Sequence, residues 1–341
     1  MGTKTLTPIN YEEEKEKFLN SKYYNPIFFY QIKKERIDPK EIDKLYHEVK
    51  ALDVPLEIKD YLNSYLNDLN LLNQTINSIG TKSFPENTSK LFDWTLPDLE
   101  NVESLFPEVE LEKEGSNALY GADEIRNAFS EILDKKYQLK TVKVELDGFN
   151  PFTIRAGSKK VVIGKGVKRF SNNLKRLIVH ELESHVLQQI NISNSSTPLL
   201  KLYKYAEGEL TGEGLAVYNE ITTKTITKQA LDNYYFRLKA VSMLKKSFRE
   251  IFEEIAKHIP PKHAYIITYR VKRGMEDTSL PGGFPKDAAY ILGFYKIKSA
   301  LEKYKDSKLY YKTKVSSLYF LLEKAGYLKK TKLMFPEFLH F

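Results

Sequence analysis

His180 and His185, with Glu181 directly after the first and Glu213 further on, are the residues of this chain whose types and spacing could do metal chemistry. A hydrolytic metal site holds its ion with neutral imidazoles and a carboxylate, keeps one position for water, and sets a glutamate beside that water to take its proton. His180 and His185 supply two ligands and Glu181 the base, while Glu213 begins a second helix that could bring in the third ligand. The spacing makes a structural demand. At about 100° per residue, five steps leave two side chains roughly 140° apart around a regular α-helix, too far to share one ion. One extra residue in the turn, a π-bulge within Leu182 to Ser184, restores a common face, and such bulges concentrate at functional sites. The alternative is a pair of surface or capping histidines on an amphipathic helix, with Glu181 pairing one of them. Leu177, Ile178, Leu182, Val186 and Leu187 argue against it, because they crowd the polar residues and a buried His or Glu needs a partner.

The elements that must position these residues follow from periodicity. SNNLKRLIVHELESHVLQQI opens on Ser171 as an N-cap and carries Leu174, Leu177, Ile178, Leu182, Val186 and Ile190 on one helical stripe. Before it, a helix from about Ala122 to Lys136 gives way to three short β-branched runs, Thr141 to Leu146, Phe152 to Ala156 and Lys160 to Ile163. Turn residues separate the runs, which predicts a small antiparallel sheet preceding the active-site helix. Residues 11–79 read as helices, and Pro, Asn and Ser breaks between Gly80 and Gly115 mark a connection. Downstream of Gly214 the pattern is again helical, with HAYIITYRVKRGMEDTSLPGGFPKD as a strand-or-loop region before helices near 287–304 and 316–325. The expected fold is a mainly helical α+β protein, with an N-terminal helical region over 1–115 and the catalytic region over 116–341, or one continuous domain.

Composition narrows the chemistry. With no cysteine, disulfides, thiolate zinc sites and cysteine nucleophiles are excluded, so any metal rests on histidines and carboxylates. No apolar run reaches signal-peptide or membrane-span length, which makes a cytoplasmic protein the expectation. The net charge of +8 is spread over interspersed Lys, Arg, Asp and Glu, a pattern of solvated surface that would still attract acidic partners. No nucleic-acid motif accompanies it.

The segment LKRLIVHELESHVLQQI followed by GEGLAVYNE resembles the QEGLA-motif family, which also contains the microtubule-associated tyrosine carboxypeptidases. RVKRGMEDTSLPGGFPKDAAYILGF resembles that family's second block, and Asn25-Pro26 with Phe28 and Tyr30 an earlier one. The resemblance implies a zinc peptidase of the zincin type, with the His-Glu-x-x-x-His pattern on His180, Glu181 and His185 and the third ligand on Glu213, the residue before Gly-Leu-Ala. One departure is Gly212, where the family usually has Gln or Glu; another is NSSTP in place of a Gly-containing turn.

A carboxypeptidase also needs a cation for the terminal carboxylate of its substrate, and a guanidinium offers bidentate geometry. Arg270 and Arg273 in the second block are the candidates, with Lys286 behind them, although ordinary surface cations would look the same. Tyr290 could donate a hydrogen bond to the developing oxyanion, or be a half-buried packing residue. Glu220, two turns beyond Glu213, could accept the free N–H of a ligand histidine, or face solvent. The expectation is a one-zinc metallocarboxypeptidase acting on the C-terminal tail of a protein or peptide, acidic tails included, with neither nucleic acid nor membrane as partner. Its rivals are a catalytically inactive protein of the same fold that binds peptide tails, and a nucleic-acid regulator acting through the basic surface.

Overall fold

The computed structural model describes residues 5–31, 37–94, 118–148 and 153–339. The fold is α+β and mainly helical. It divides into two compact units, Met1–Phe106 with Lys204–Ala206 and Asp232–Ile291, and Pro107–Tyr203 with Glu207–Leu231 and Leu292–Phe341. The boundary expected near residue 115 lies outside the described residues.

In the first unit, helices Tyr11–Leu19, Phe248–Ala256 and Pro261–Lys272 share an aromatic core of Phe18, Phe28, Phe248 and Tyr265. Phe18 meets Phe248 and Phe252 edge-on, each with ring centroids 4.8 Å apart. The helix Pro261–Lys272 replaces the strand or loop expected from HAYIITYRVK. Its β-branched residues suggested a strand, but Ala264, Tyr265, Ile267, Thr268, Val271 and Lys272 are the buried positions, and their spacing of three and four is that of one helix face. Pro261 at its first turn is compatible with helix because the missing N–H would have had no partner there.

Among the described residues the second unit holds five strands: β1 (Leu119–Gly121), β2 (Lys143–Asp147), β3 (Ile154–Ala156), β4 (Lys160–Gly164) and β5 (Lys168–Phe170). β1 and β5 form an antiparallel pair. The three runs expected as strands form a sheet of order β2-β4-β3, antiparallel across β3 and β4 but parallel across β2 and β4. The chain leaves β2 for the far edge and returns through the β3–β4 hairpin, so β4 becomes the central strand. Val161 and Ile163 on β4 are accordingly fully buried. Opposite them pack Leu182, Val186 and Ile190 of the histidine-bearing helix, with Ile125 and Phe129 completing the layer. Fully burying each of these side chains contributes about 1.5–3 kcal/mol.

Glu213 sits in the middle of a helix, Tyr205–Thr222, rather than at its start. Gly208, Gly212 and Gly214 disguised the helix in the sequence, and close approach explains two of them. A Cβ on Gly208 would lie 2.5 Å from the Tyr203 ring, and one on Gly214 would lie 2.2 Å from the carbonyl carbon of Gly293. Glycine here costs helix propensity and allows backbone contact.

Candidate metal centre

The histidine-bearing helix runs as Ser171–Leu177, a π-helical stretch Ile178–Val186, and Leu187–Ser193. The expected bulge is present, and it spreads over both histidines. Hydrogen bonding from i to i+5 puts residues five apart on one face, and the rings of His180 and His185 stand 4.9 Å apart at 84° to each other. The Nε2 atoms of His180 and His185 each lie 3.5 Å from Glu213 Oε2. Tetrahedral coordination with zinc bonds of 2.0–2.1 Å requires ligand atoms about 3.4 Å apart. His180, His185 and Glu213 form the group of His, Asp and Glu side chains that could hold a metal ion among the described residues.

The free edge of His180 is held from behind. Its Nδ1 lies 2.6 Å from Glu220 Oε1, and Glu220 is fully buried. Arg176 Nη1 donates to the same oxygen at 2.7 Å and its Nε to Asn173 Oδ1 at 3.3 Å. The arrangement fixes the tautomer that presents Nε2 to a metal. Burial pushes the His180 imidazole down, but Glu213 and Glu220 outweigh it and raise it to about 10. The same carboxylates favour a metal cation, whose binding displaces the proton. Glu220→Gln is therefore expected to weaken zinc affinity about 10–100-fold, read by competition with a chromophoric chelator; unchanged affinity would remove Glu220 from the centre.

Glu181 follows His180 on the same helix and is half-buried. Burial raises its carboxyl, against the pull of His180 and His185. A carboxylate moved toward neutrality is a better proton acceptor at working pH.

A second polar network lies under the π turn. Ser184 Oγ donates to Val179 O at 2.8 Å, Asn219 Nδ2 donates to both Ser184 Oγ and Tyr311 Oη at 2.8 Å, and Tyr311 Oη donates to Glu183 O at 2.7 Å. Glu183 itself accepts from Tyr137 Oη at 2.5 Å and Lys136 Nζ at 2.8 Å. Apart from the backbone carbonyls of Val179 and Glu183, these partners are polar side chains, and together they hold an irregular turn that the backbone alone supports poorly.

A family model described as microtubule-associated tyrosine carboxypeptidase matches residues 16–318. The chain belongs to this family. Microtubule-associated tyrosine carboxypeptidase 1 of Rattus norvegicus is 31% identical over 131 residues, covering 36% of the chain and 27% of the relative. The Homo sapiens protein of the same name is 31% identical over 137 residues, with the same coverage. The chain thus matches about a quarter of the length of these relatives. The matched residues include both the His-Glu-x-x-x-His segment and the Glu-Gly-Leu-Ala segment.

Arg270, Arg273, Lys286 and Tyr290 belong to the first unit, whereas His180, His185 and Glu213 belong to the second. Arg270 grips both oxygens of the fully buried Asp287, its Nη2 at 2.8 Å from Oδ1. Arg273 Nη2 lies 3.6 Å from the same carboxylate and Arg237 Nε 3.8 Å. Arg237, which no sequence motif marked, also lies 5.1 Å from the centroid of the Tyr290 ring, and Tyr290 stacks on Tyr234 at 4.8 Å. Lys286, beside Asp287, is half-buried.

Burial would raise the Asp287 carboxyl, but the three guanidiniums hold it far below the usual range. Its contribution to stability is therefore complete above about pH 4, the unfolded carboxyl's range, and is lost only as pH falls through the depressed folded value. Asp287→Asn should cost about 3–5 kcal/mol at pH 7 in urea titrations, with the gap to wild type narrowing in strong acid. A gap that widened in acid would contradict this assignment.

Proposed function

We propose that the chain is a zinc-dependent metallocarboxypeptidase that removes the last residue from a protein or peptide tail. The observation that carries the reading is the convergence of His180, His185 and Glu213 across a π-helical turn, with Glu181 next to the first ligand. Zinc held there would supply a Lewis acid that lowers the pKa of a water molecule and polarises the scissile carbonyl. Glu181 takes the proton from that water as it attacks and returns it to the departing amine. Glu220 and Arg176 keep His180 oriented throughout.

Tyr290 is proposed as a hydrogen-bond donor to substrate, and Arg270, Arg273 and Lys286 as a positive region for the acidic side chains of its tail. Three arginines around one carboxylate leave positive charge in excess, and the net charge of +8 suits an acidic tail. The names of the relatives make tyrosine the first terminal residue to try and the cytoplasm the compartment to expect. Among the described residues no helix is long and apolar enough to cross a membrane.

The test is incubation of zinc-loaded protein with peptides that differ only in their last residue, followed by mass spectrometry. The expected product is the peptide shortened by one residue, formed only in the absence of chelator. Stoichiometric zinc with no shortened peptide from any member would refute the peptidase reading.

A further inference from the structure

Lys314 lies in the turn between helices Leu309–Lys312 and Ser316–Lys324. Its backbone is pinned to the helix that carries Glu213, because the buried Thr211 donates from Oγ1 to Lys314 O at 2.8 Å. Thr313 Oγ1 braces the same turn through Val315. The side chain then runs along the glycines of that helix: its Cδ would touch a Cβ on Gly208 at 3.6 Å, and its Nζ one on Gly212 at 3.5 Å. The Gly212 point is also 3.8 Å from His185 Cε1, so the ammonium ends beside a metal ligand.

This half-buried cation touches only Gly208 O, at 3.4 Å, and the face of Tyr203, at 4.7 Å, with no carboxylate in ion-pair range among the described residues. A second polar atom at the same point has no hydrogen-bond partner among the described residues. Gln188 Oε1, 3.8 Å from the Gly212 position, is a buried acceptor with no donor, although Gln188 Nε2 is bonded to Tyr310 O. Buried polar groups left unsatisfied mark a missing partner. Packing does not demand glycine at 212, since a Cβ there would meet its neighbours only at ordinary contact distances. The Gly212 position brings an ammonium, an amide oxygen and an imidazole of the candidate site within 4 Å of one point.

We infer that Lys314 receives the C-terminal end of the substrate, pairing with its carboxylate beside His185. The inference rests on the carboxypeptidase reading. The terminal carboxylate carbon is one residue from the scissile carbonyl, about 3.8 Å, and a charge-assisted hydrogen bond adds about 2.8 Å. The required cation is thus within roughly 7 Å of the carbonyl under attack, a distance that suits a lysine beside His185. Arg270, by contrast, already has its fork filled by Asp287.

The test compares a fluorescently labelled glutamate-rich peptide ending in a free tyrosine carboxylate with its C-terminal amide, by anisotropy on the full chain with and without zinc. Wild type should prefer the free acid about 10–100-fold, as a single charged hydrogen bond provides. Lys314→Met should abolish the preference, and Lys314→Arg should keep part of it. In turnover, Lys314→Met should raise KM on free-acid peptides with the metal content unchanged. A Lys314→Met protein that retains the preference, or a wild type with none, overturns the assignment. A wild type that prefers the free acid but never shortens it refutes the peptidase reading and leaves the lysine's role standing.

Discussion

Glu181→Gln is expected to keep one zinc per chain while lowering turnover of a C-terminal peptide by about 10²–10⁴-fold. The amide is nearly isosteric with the carboxylate and is not one of the three converging ligands, so metal content measured by mass spectrometry should not change. What disappears is a base whose carboxyl burial has raised toward working pH. Wild-type turnover by this variant would remove Glu181 from the mechanism. Loss of the metal together with the activity would instead make Glu181 a ligand and require a different geometry.

Glu213→Ala is expected to have the largest effect on the metal, exceeding the roughly 10–100-fold loss typical of residues behind the ligands. Its Oε2 is the atom on which both imidazole Nε2 positions converge, at 3.5 Å each. Two histidines without it leave an incomplete site, and zinc peptidases require three protein ligands. Equilibrium titration with a competing chelator reads the loss directly. Retention of wild-type affinity would show that the carboxylate meets the histidines only as their ion-pair partner.

The parts of the centre that were legible in sequence were those with a fixed local spacing. His180 and His185 at five residues forced a choice between two unrelated histidines and a bulged turn, and the π-helical stretch Ile178–Val186 is that turn. Glu220 was readable for the same reason, lying two turns from Glu213 on one helix. The groups that hold the bulge were not, because Asn219 reaches Ser184 across 35 residues and Tyr311 across 92. Arg176 stands one turn before His180, and only the fold brings it against Glu220, 44 residues away in sequence.

The misread elements share one cause: tertiary contact overrode local preference. HAYIITYRVK is β-branched and aromatic yet helical, since six of its positions are buried at helical spacing. The glycines before and after Glu213 suggested that the helix began there, but Gly208 and Gly214 accommodate the Tyr203 ring and the Gly293 backbone inside a helix eight residues longer at its start. The β2–β4 ladder is parallel because β4 returns to the centre of the sheet, a path that short runs separated by turn residues do not reveal.

Anomalous diffraction at the zinc edge, from crystals of the zinc-loaded protein, tests the central claim most directly. The account predicts one strong peak at bonding distance, about 2.0–2.2 Å, from His180 Nε2, His185 Nε2 and a Glu213 carboxylate oxygen. A peak elsewhere, or none between these three side chains at full zinc loading, would contradict it.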